Sequence, residues 1–285
     1  MAAISVNGVT LNVEASGHGP ALVLLHGFTG STESWRPHLS SFSSRHSVIG
    51  LDALGHGSSD APADPERYRM HHAARDIVGV LDRLRVARAA VLGYSMGARV
   101  ALFLATVAPD RVAALVLESG SPGILRDADR LTRRAQDLAL AAAIERDGVE
   151  TFVDRWERLP LFATQQRLPA PVRADLRAQR LRNRAAGLAN SLRGMGQGAQ
   201  PPLVDRLPDL SMPVLVLTGA LDAAYTALGR DMAAAMPDGG LVIVPDAGHT
   251  VHLEQPGAFQ RAVLEFLAHV QDAGPSRNWS TSEVR

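Results

Sequence analysis

Apolar positions along this chain follow two rhythms, short unbroken runs and longer stretches with helical spacing. At the start, Ile4–Glu14 alternates apolar and polar residues about Asn7-Gly8. That pattern predicts a hairpin closed by a type I′ turn. Six apolar runs follow: Ala21–Leu25, Val48–Leu51, Ala89–Leu92, Val112–Leu117, Val214–Leu217 and Leu241–Val244. Unbroken runs of this length suit strands covered on both faces of a mostly parallel sheet. Helical spacing fills the gaps, over Met70–Arg83, Ser95–Val107, Ala224–Met236 and Pro256–Gln271. The alternation predicts an α/β fold: a mostly parallel sheet of about eight strands with helices on both faces.

The rhythm breaks between Ser121 and Asp205. No buried-strand pattern occurs there, only Arg- and Ala-rich helical stretches punctuated by Pro160, Pro169, Pro171, Pro201 and Pro202. Strand alternation resumes at Met212. The chain is therefore expected to form a core in two parts, 1–120 and 206–272. Residues 121–205 would be inserted as a helical cap over the carboxyl edge of the sheet, where open α/β folds place their sites. Residues 273–285 are small and polar and predict a flexible tail. Asn278-Trp279-Ser280 matches a glycosylation sequon and is read as chance, and no internal repeat is found.

Composition narrows the function classes. With 29 basic and 29 acidic residues the formal net charge is zero, which gives no electrostatic reason to expect nucleic acid or an anionic membrane as partner. Every one of those basic residues is arginine, so Schiff-base chemistry and a P-loop lysine are excluded. Cysteine is absent, which removes disulfides, thiolate nucleophiles and cysteine-based metal sites. The segment MAAISVNGVTL has no basic patch followed by an apolar stretch, and no apolar run is long enough to span a bilayer. A cytoplasmic protein is expected, its oligomeric state left open between monomer and homo-oligomer.

The candidate chemistry begins at Val91-Leu92-Gly93-Tyr94-Ser95-Met96-Gly97-Ala98, a strand running into G-x-S-x-G with a helix after it. That context makes Ser95 a candidate nucleophile or base on a sharp turn. A serine hydroxyl needs an imidazole to take its proton. His249 follows the strand Leu241–Val244 in Asp246-Ala247-Gly248-His249, and Asp222 follows Val214–Leu217 in Thr218-Gly219-Ala220-Leu221-Asp222. Both loops open at the carboxyl edge of the sheet. The order Ser, Asp, His is the one found in α/β hydrolases, and Asp222 would orient the imidazole. His252 and Asp246 are the competing histidine and acid. The backbone N–H groups of Phe28, in the turn Leu25-His26-Gly27-Phe28, and of Met96 are expected to form an oxyanion hole. His26 and Gly55-His56-Gly57-Ser58-Ser59 read as loop architecture. Arg99 lies one helical turn beyond Ser95 and so on the same side of its helix. A guanidinium there suggests a substrate carboxylate, with a structural salt bridge as the alternative.

At these residues the chain resembles the 2-succinyl-6-hydroxy-2,4-cyclohexadiene-1-carboxylate synthases of menaquinone biosynthesis, members of the α/β-hydrolase superfamily. The resemblance covers nearly the whole chain. It is carried by Leu25 to Gly30, Gly93 to Arg99, Glu118-Ser119-Gly120-Ser121-Pro122-Gly123, Ile144 to Gly148, Trp156 to Phe162, Gly187 to Gly196, and Ala247-Gly248-His249 with Glu254-Gln255-Pro256. It implies a lyase that eliminates pyruvate without metal or cofactor, with Ser95, His249 and Asp222 acting together as a base. It also implies a small-molecule substrate bearing several carboxylates, bound by Arg99, Arg133 and Arg180, in a pocket lined by Tyr94 and Trp156. Arg130 or Arg134 could take the place of Arg133. Two departures stand out. Ala98 occupies a position where many members have glycine, and Ala220 to Tyr225 is looser than the usual acid loop. Two other classes remain alternatives at this stage: a serine hydrolase of esters or C–C bonds, and a non-catalytic small-molecule receptor.

Overall fold

A computed structural model describes residues 2–273. Asn7 and Gly8 adopt φ of 48° and 81°, the positive pair that a type I′ turn requires. They join β1 (Ala2–Val6) to β2 (Val9–Ser16) as the expected hairpin. The remaining elements are β3 (Ala21–Leu25), α1 (Leu39–Ser43), β4 (Ser47–Leu51), α2 (Met70–Arg83), β5 (Ala89–Tyr94), α3 (Met96–Val107) and β6 (Val112–Glu118). After them come α4 (Asp127–Trp156), α5 (Ala170–Leu181), α6 (Ala185–Met195), β7 (Val214–Gly219), α7 (Ala223–Ala235), β8 (Gly239–Val244), α8 (Val251–Glu254) and α9 (Pro256–Ala273).

The eight strands form one sheet in the order β1-β2-β4-β3-β5-β6-β7-β8. β1 and β2 are antiparallel to their neighbours, and every pairing from β4 to β8 is parallel. Within β3, Leu22 and Leu24 face one layer while Val23 and Leu25 face the other. This is why the run is apolar at every position. The first layer packs Trp35, Phe42, Phe259 and Phe266 beneath α1 and α9. The second packs side chains of α2, α3 and α7.

Between β6 and β7 the chain forms only helices and 3-10 turns. α4 is kinked at Gly148, whose φ is 82°. Ile144, Phe152 and Val153 of α4 pack with Leu188 and Leu192 of α6 as a separate small core. α6 rests on the strand-edge loops through two glycines. A Cβ on Gly187 would lie 2.2 Å from the Gly55 carbonyl oxygen, and one on Gly194 would lie 2.5 Å from the Tyr68 carbonyl carbon. No larger residue permits that approach. The tail expected over 273–285 lies, Ala273 apart, outside the described residues, as does the Asn278-Trp279-Ser280 sequon. Among the described residues no helix is long and apolar enough to cross a membrane.

Candidate active site

Ser95 stands between β5 and α3 with φ 50° and ψ −104°, a strained conformation for a residue with a side chain. Its N–H donates to the Glu118 carbonyl at 2.8 Å and its carbonyl accepts from Arg99 N–H at 3.1 Å, so the main chain on both sides holds the bend. The flanking glycines are required by contact. A Cβ on Gly93 would meet the Gly97 carbonyl at 2.4 Å, and one on Gly97 would meet the Leu25 carbonyl oxygen at 2.1 Å. Ala98 fits because its methyl faces Gly120, which has no Cβ of its own to oppose it.

The turns after β7 and β8 bring the other two expected residues to Ser95. His249 Nε2 lies 3.1 Å from Ser95 Oγ, and His249 Nδ1 lies 2.8 Å from Asp222 Oδ2. A carboxylate acceptor at Nδ1 favours the tautomer with its proton there, which leaves Nε2 free to take the serine proton. Asp222 caps α7 by accepting from Tyr225 N–H at Oδ1. Glu254 clamps the histidine loop, accepting from Gly248 N–H at 2.8 Å and from Thr250 N–H at 3.2 Å. The competing residues are accounted for elsewhere. His252 donates Nδ1–H to the buried Glu118 carboxylate, and Asp246 is solvent-exposed.

Phe28 and Met96 both line the cavity that Ser95 opens into. Met96 begins α3, so its N–H has no acceptor within the helix. The Phe28 turn is closed by Gly30 N–H donating to the Gly27 carbonyl. It is also pinned by His26, which accepts from Ala53 N–H at Nε2 and contacts the Gly27 carbonyl through Nδ1. Burial lowers the His26 imidazole below its ordinary value and pushes His56, in contact with it, down to about 3. Both are therefore neutral struts, as the loop reading of His26 and His56 expects.

The same cavity is lined by Tyr94, Arg99, Arg133, Trp156, Gln197 and Tyr225, with no aspartate or glutamate. Arg99 is buried. Its guanidinium donates to the Met195 carbonyl at 2.8 Å and to Gln200 Oε1 at 3.2 Å, both neutral acceptors. The salt-bridge alternative is thus not what the structure shows. Burial lowers Arg99 to about 10, which leaves it cationic at neutral pH. Arg133 reaches the cavity from α4 with its charge offset by Asp137 at 2.8 Å. Of its two stand-ins, Arg130 pairs with Asp127 and Arg134 contacts the Arg193 carbonyl, and neither lines the cavity.

Arg180 departs from the expected grouping. It is buried in an adjoining smaller cavity that shares Phe28, Tyr94, Trp156 and Phe162 with the first. Its guanidinium binds Glu157 Oε1 and Gln165 Oε1, each at 3.1 Å, and lies 5.5 Å from the Phe162 ring centroid. The cause is the pair of acceptors supplied by Glu157 and the 3-10 segment Pro160–Arg167, which no periodicity foretells. Trp156 and Phe28 meet edge to face on the wall between the cavities.

Several site residues carried no assignment from sequence. Tyr225 packs its ring 4.5 Å from the His249 ring and accepts from Gln197 Nε2. Its position one turn into the helix that Asp222 caps was the available signal. Gln165, Gln197, Gln200 and Thr250 had none. Among the described residues no group of three or more His, Asp or Glu side chains is arranged to hold a metal ion.

Similarity to known proteins bears on this geometry. A family profile described as alpha/beta hydrolase fold matches residues 20–256. A Bacillus subtilis (strain 168) protein provisionally named 2-succinyl-6-hydroxy-2,4-cyclohexadiene-1-carboxylate synthase is 44% identical over 88% of this chain and 91% of its own. The Serratia proteamaculans (strain 568) synthase of that name is 32% identical over 88% and 94%. The solved structure of MenH from S. aureus superposes with a TM-score of 0.88 at 33% identity, covering 92% of this chain and 99% of that one.

Proposed function

The chain belongs to the α/β-hydrolase-fold family and, within it, to the 2-succinyl-6-hydroxy-2,4-cyclohexadiene-1-carboxylate synthases, and from that premise we propose how its residues divide the work of the reaction. The enzyme is a lyase. It eliminates pyruvate from 2-succinyl-5-enolpyruvyl-6-hydroxy-3-cyclohexene-1-carboxylate in menaquinone biosynthesis.

The change from a 3-cyclohexene to a 2,4-cyclohexadiene defines the bonds involved. The C2–H bond breaks and C2=C3 forms. The ring double bond then moves to C4=C5, and the C5–O bond to the enolpyruvyl group breaks. Ser95, deprotonated by His249, takes the C2 proton, and that proton returns to the departing pyruvate enolate. Asp222 keeps the imidazole in the accepting tautomer and stabilises it once charged. As C2 loses its proton, charge spreads to the adjacent succinyl carbonyl oxygen, which the Phe28 and Met96 N–H groups are suited to receive. No acyl-enzyme forms.

The observation that carries this reading over ester hydrolysis is Arg99. It is a buried cation whose hydrogen-bond acceptors are both neutral, with Asp137 acting on it only through space, in the same cavity as Ser95. A substrate with three carboxylates supplies the anion it lacks, and Arg133 supplies a second, weaker anchor. The helical segment 121–205 serves as a cap, contributing Arg133 and Trp156 to the binding walls. Arg180 acts from the adjoining cavity.

The test is to follow pyruvate release from the enolpyruvyl substrate above its spontaneous rate. Acceleration is expected, together with slow turnover of p-nitrophenyl esters. Absence of acceleration, with rapid ester turnover, would overturn the reading in favour of a hydrolase.

A further inference from the structure

Tyr94 directly precedes Ser95 and Thr250 directly follows His249, and their hydroxyls lie 2.9 Å apart. A third side chain joins them from the helical segment, as Gln165 Nε2 donates to Thr250 Oγ1 at 2.8 Å. Gln165 Oε1 in turn accepts from Arg180 Nη2 at 3.1 Å, and Arg180 Nη1 donates to Glu157 at 3.1 Å. The four side chains from Arg180 to Tyr94 form one continuous chain linking the cap to the sequence neighbours of both Ser95 and His249. Gln165 and Arg180 are almost fully buried, and so is Thr250. The backbone fits closely as well, since a Cβ on Gly248 would lie 2.2 Å from Thr164 Oγ1.

We propose that Gln165 and Thr250 are positioning residues that aim the Tyr94 hydroxyl at the substrate as a hydrogen-bond donor, through a chain that starts at Arg180. The proposal rests on the pyruvate-eliminating reading above and adds to it a source of polarity. Arginine has donors only, so it dictates that the Gln165 carbonyl oxygen faces Arg180 and the amide N–H faces Thr250. Thr250 Oγ1 must then accept from Gln165, and its own proton has Tyr94 Oη as acceptor. The Tyr94 proton is left pointing away from Thr250, and Tyr94 lines both the cavity it shares with Ser95 and the adjoining one. Each donor in such a chain strengthens the next, with the cation at its head. Burial raises the Tyr94 phenol above its ordinary value, so it keeps the proton it donates. A carboxylate or the developing oxyanion of the substrate is the acceptor this arrangement fits.

The chain contains three tyrosines, so labelling with 3-fluorotyrosine gives three ¹⁹F resonances, and Tyr94→Phe identifies the one that matters. Without any substrate, Thr250→Val and Gln165→Leu are expected to shift the Tyr94 resonance, and Thr250→Ser to restore it. In pyruvate release, Thr250→Val is expected to lower kcat/KM roughly tenfold, the worth of one buried hydrogen bond. Thr250→Ser should recover most of that loss. The kcat/KM losses expected of Thr250→Val and of Gln165→Leu should both vanish when Tyr94→Phe is already present, because the chain acts only through that hydroxyl. An unmoved resonance, or losses that persist in full beside Tyr94→Phe, would overturn the proposal. A wild-type protein that releases no pyruvate would instead sink the reaction assignment, and the resonances would still decide the chain.

Discussion

The strand-edge turns and the helical segment 121–205 both reach the Ser95 cavity, but they hold their side chains by different means. At the strand edge, main-chain contact decides position. Gly93 and Gly97 bring β5, α3 and the end of β3 within a distance no side chain would allow, and Glu254 grips the peptide groups on either side of His249. In the helical segment, long side chains settle where charged neighbours hold them, as Arg133 does on Asp137 and Arg180 on Glu157. Arg99, carried by the core helix α3, has only neutral acceptors. A cation already paired has little left for a ligand, whereas an unpaired buried one gains most when an anion arrives. Chemistry should therefore be lost by substitutions at the strand edge, and binding should be graded across the arginines.

The largest effect expected is that of Ser95→Ala. Loss of the proton acceptor should lower kcat by about 10² to 10⁴, the range for general base catalysis, with the thermal unfolding midpoint nearly unchanged. Next comes Gly97→Ala, whose new methyl would press on the Leu25 carbonyl. A loss of about 3 kcal/mol in urea unfolding is expected, the upper end of overpacking costs. A neutral result there would show that main-chain contact does not set the turn.

The two arginines sharpen the comparison further. Arg99→Ala should raise KM roughly tenfold or more, as expected for a charge-assisted contact. Arg133→Ala should raise it about threefold, in line with a weaker contact already offset by Asp137. Steady-state kinetics on the pair would break the comparison if the order were reversed.

The last effect falls on stability in acid rather than on the reaction. Burial holds His38 and His56 in the core at about 3, below the ordinary imidazole value, so between about pH 6.5 and 3 the unfolded chain binds protons that the folded one does not. Stability therefore falls as pH falls through that window, by up to about 1.4 kcal/mol per pH unit for each such group. The urea midpoint should be lower at pH 5 than at pH 7.

The same contrast explains what could be read from residues alone. Strands covered on both faces, such as Ala21–Leu25, announce themselves by unbroken apolar runs, and Asn7-Gly8 specifies its own turn. Ser95, Asp222 and His249 follow strand ends at spacings the chain states directly, and Arg99 follows from one turn of helix. The helical segment was legible only as helical. Its 3-10 stretch Pro160–Arg167 depends on what packs against it, while the kink at Gly148 rests on that glycine's own positive φ. The place of Arg180 depends on Glu157 and Gln165, residues 23 and 15 positions away. Tyr225 was visible beside Asp222, but its contact with the His249 ring arises from the fold of α7 against β8 and its loop.

The central claim is that the Ser95–His249 pair removes a ring proton and forms no bond to substrate carbon. Single-turnover pyruvate release, measured with substrate carrying hydrogen and then deuterium at ring carbon 2, tests it most directly. The account predicts slower release with deuterium and an unchanged protein mass throughout the turnover. Equal rates for the two isotopes, with a succinyl group found on Ser95, would contradict it.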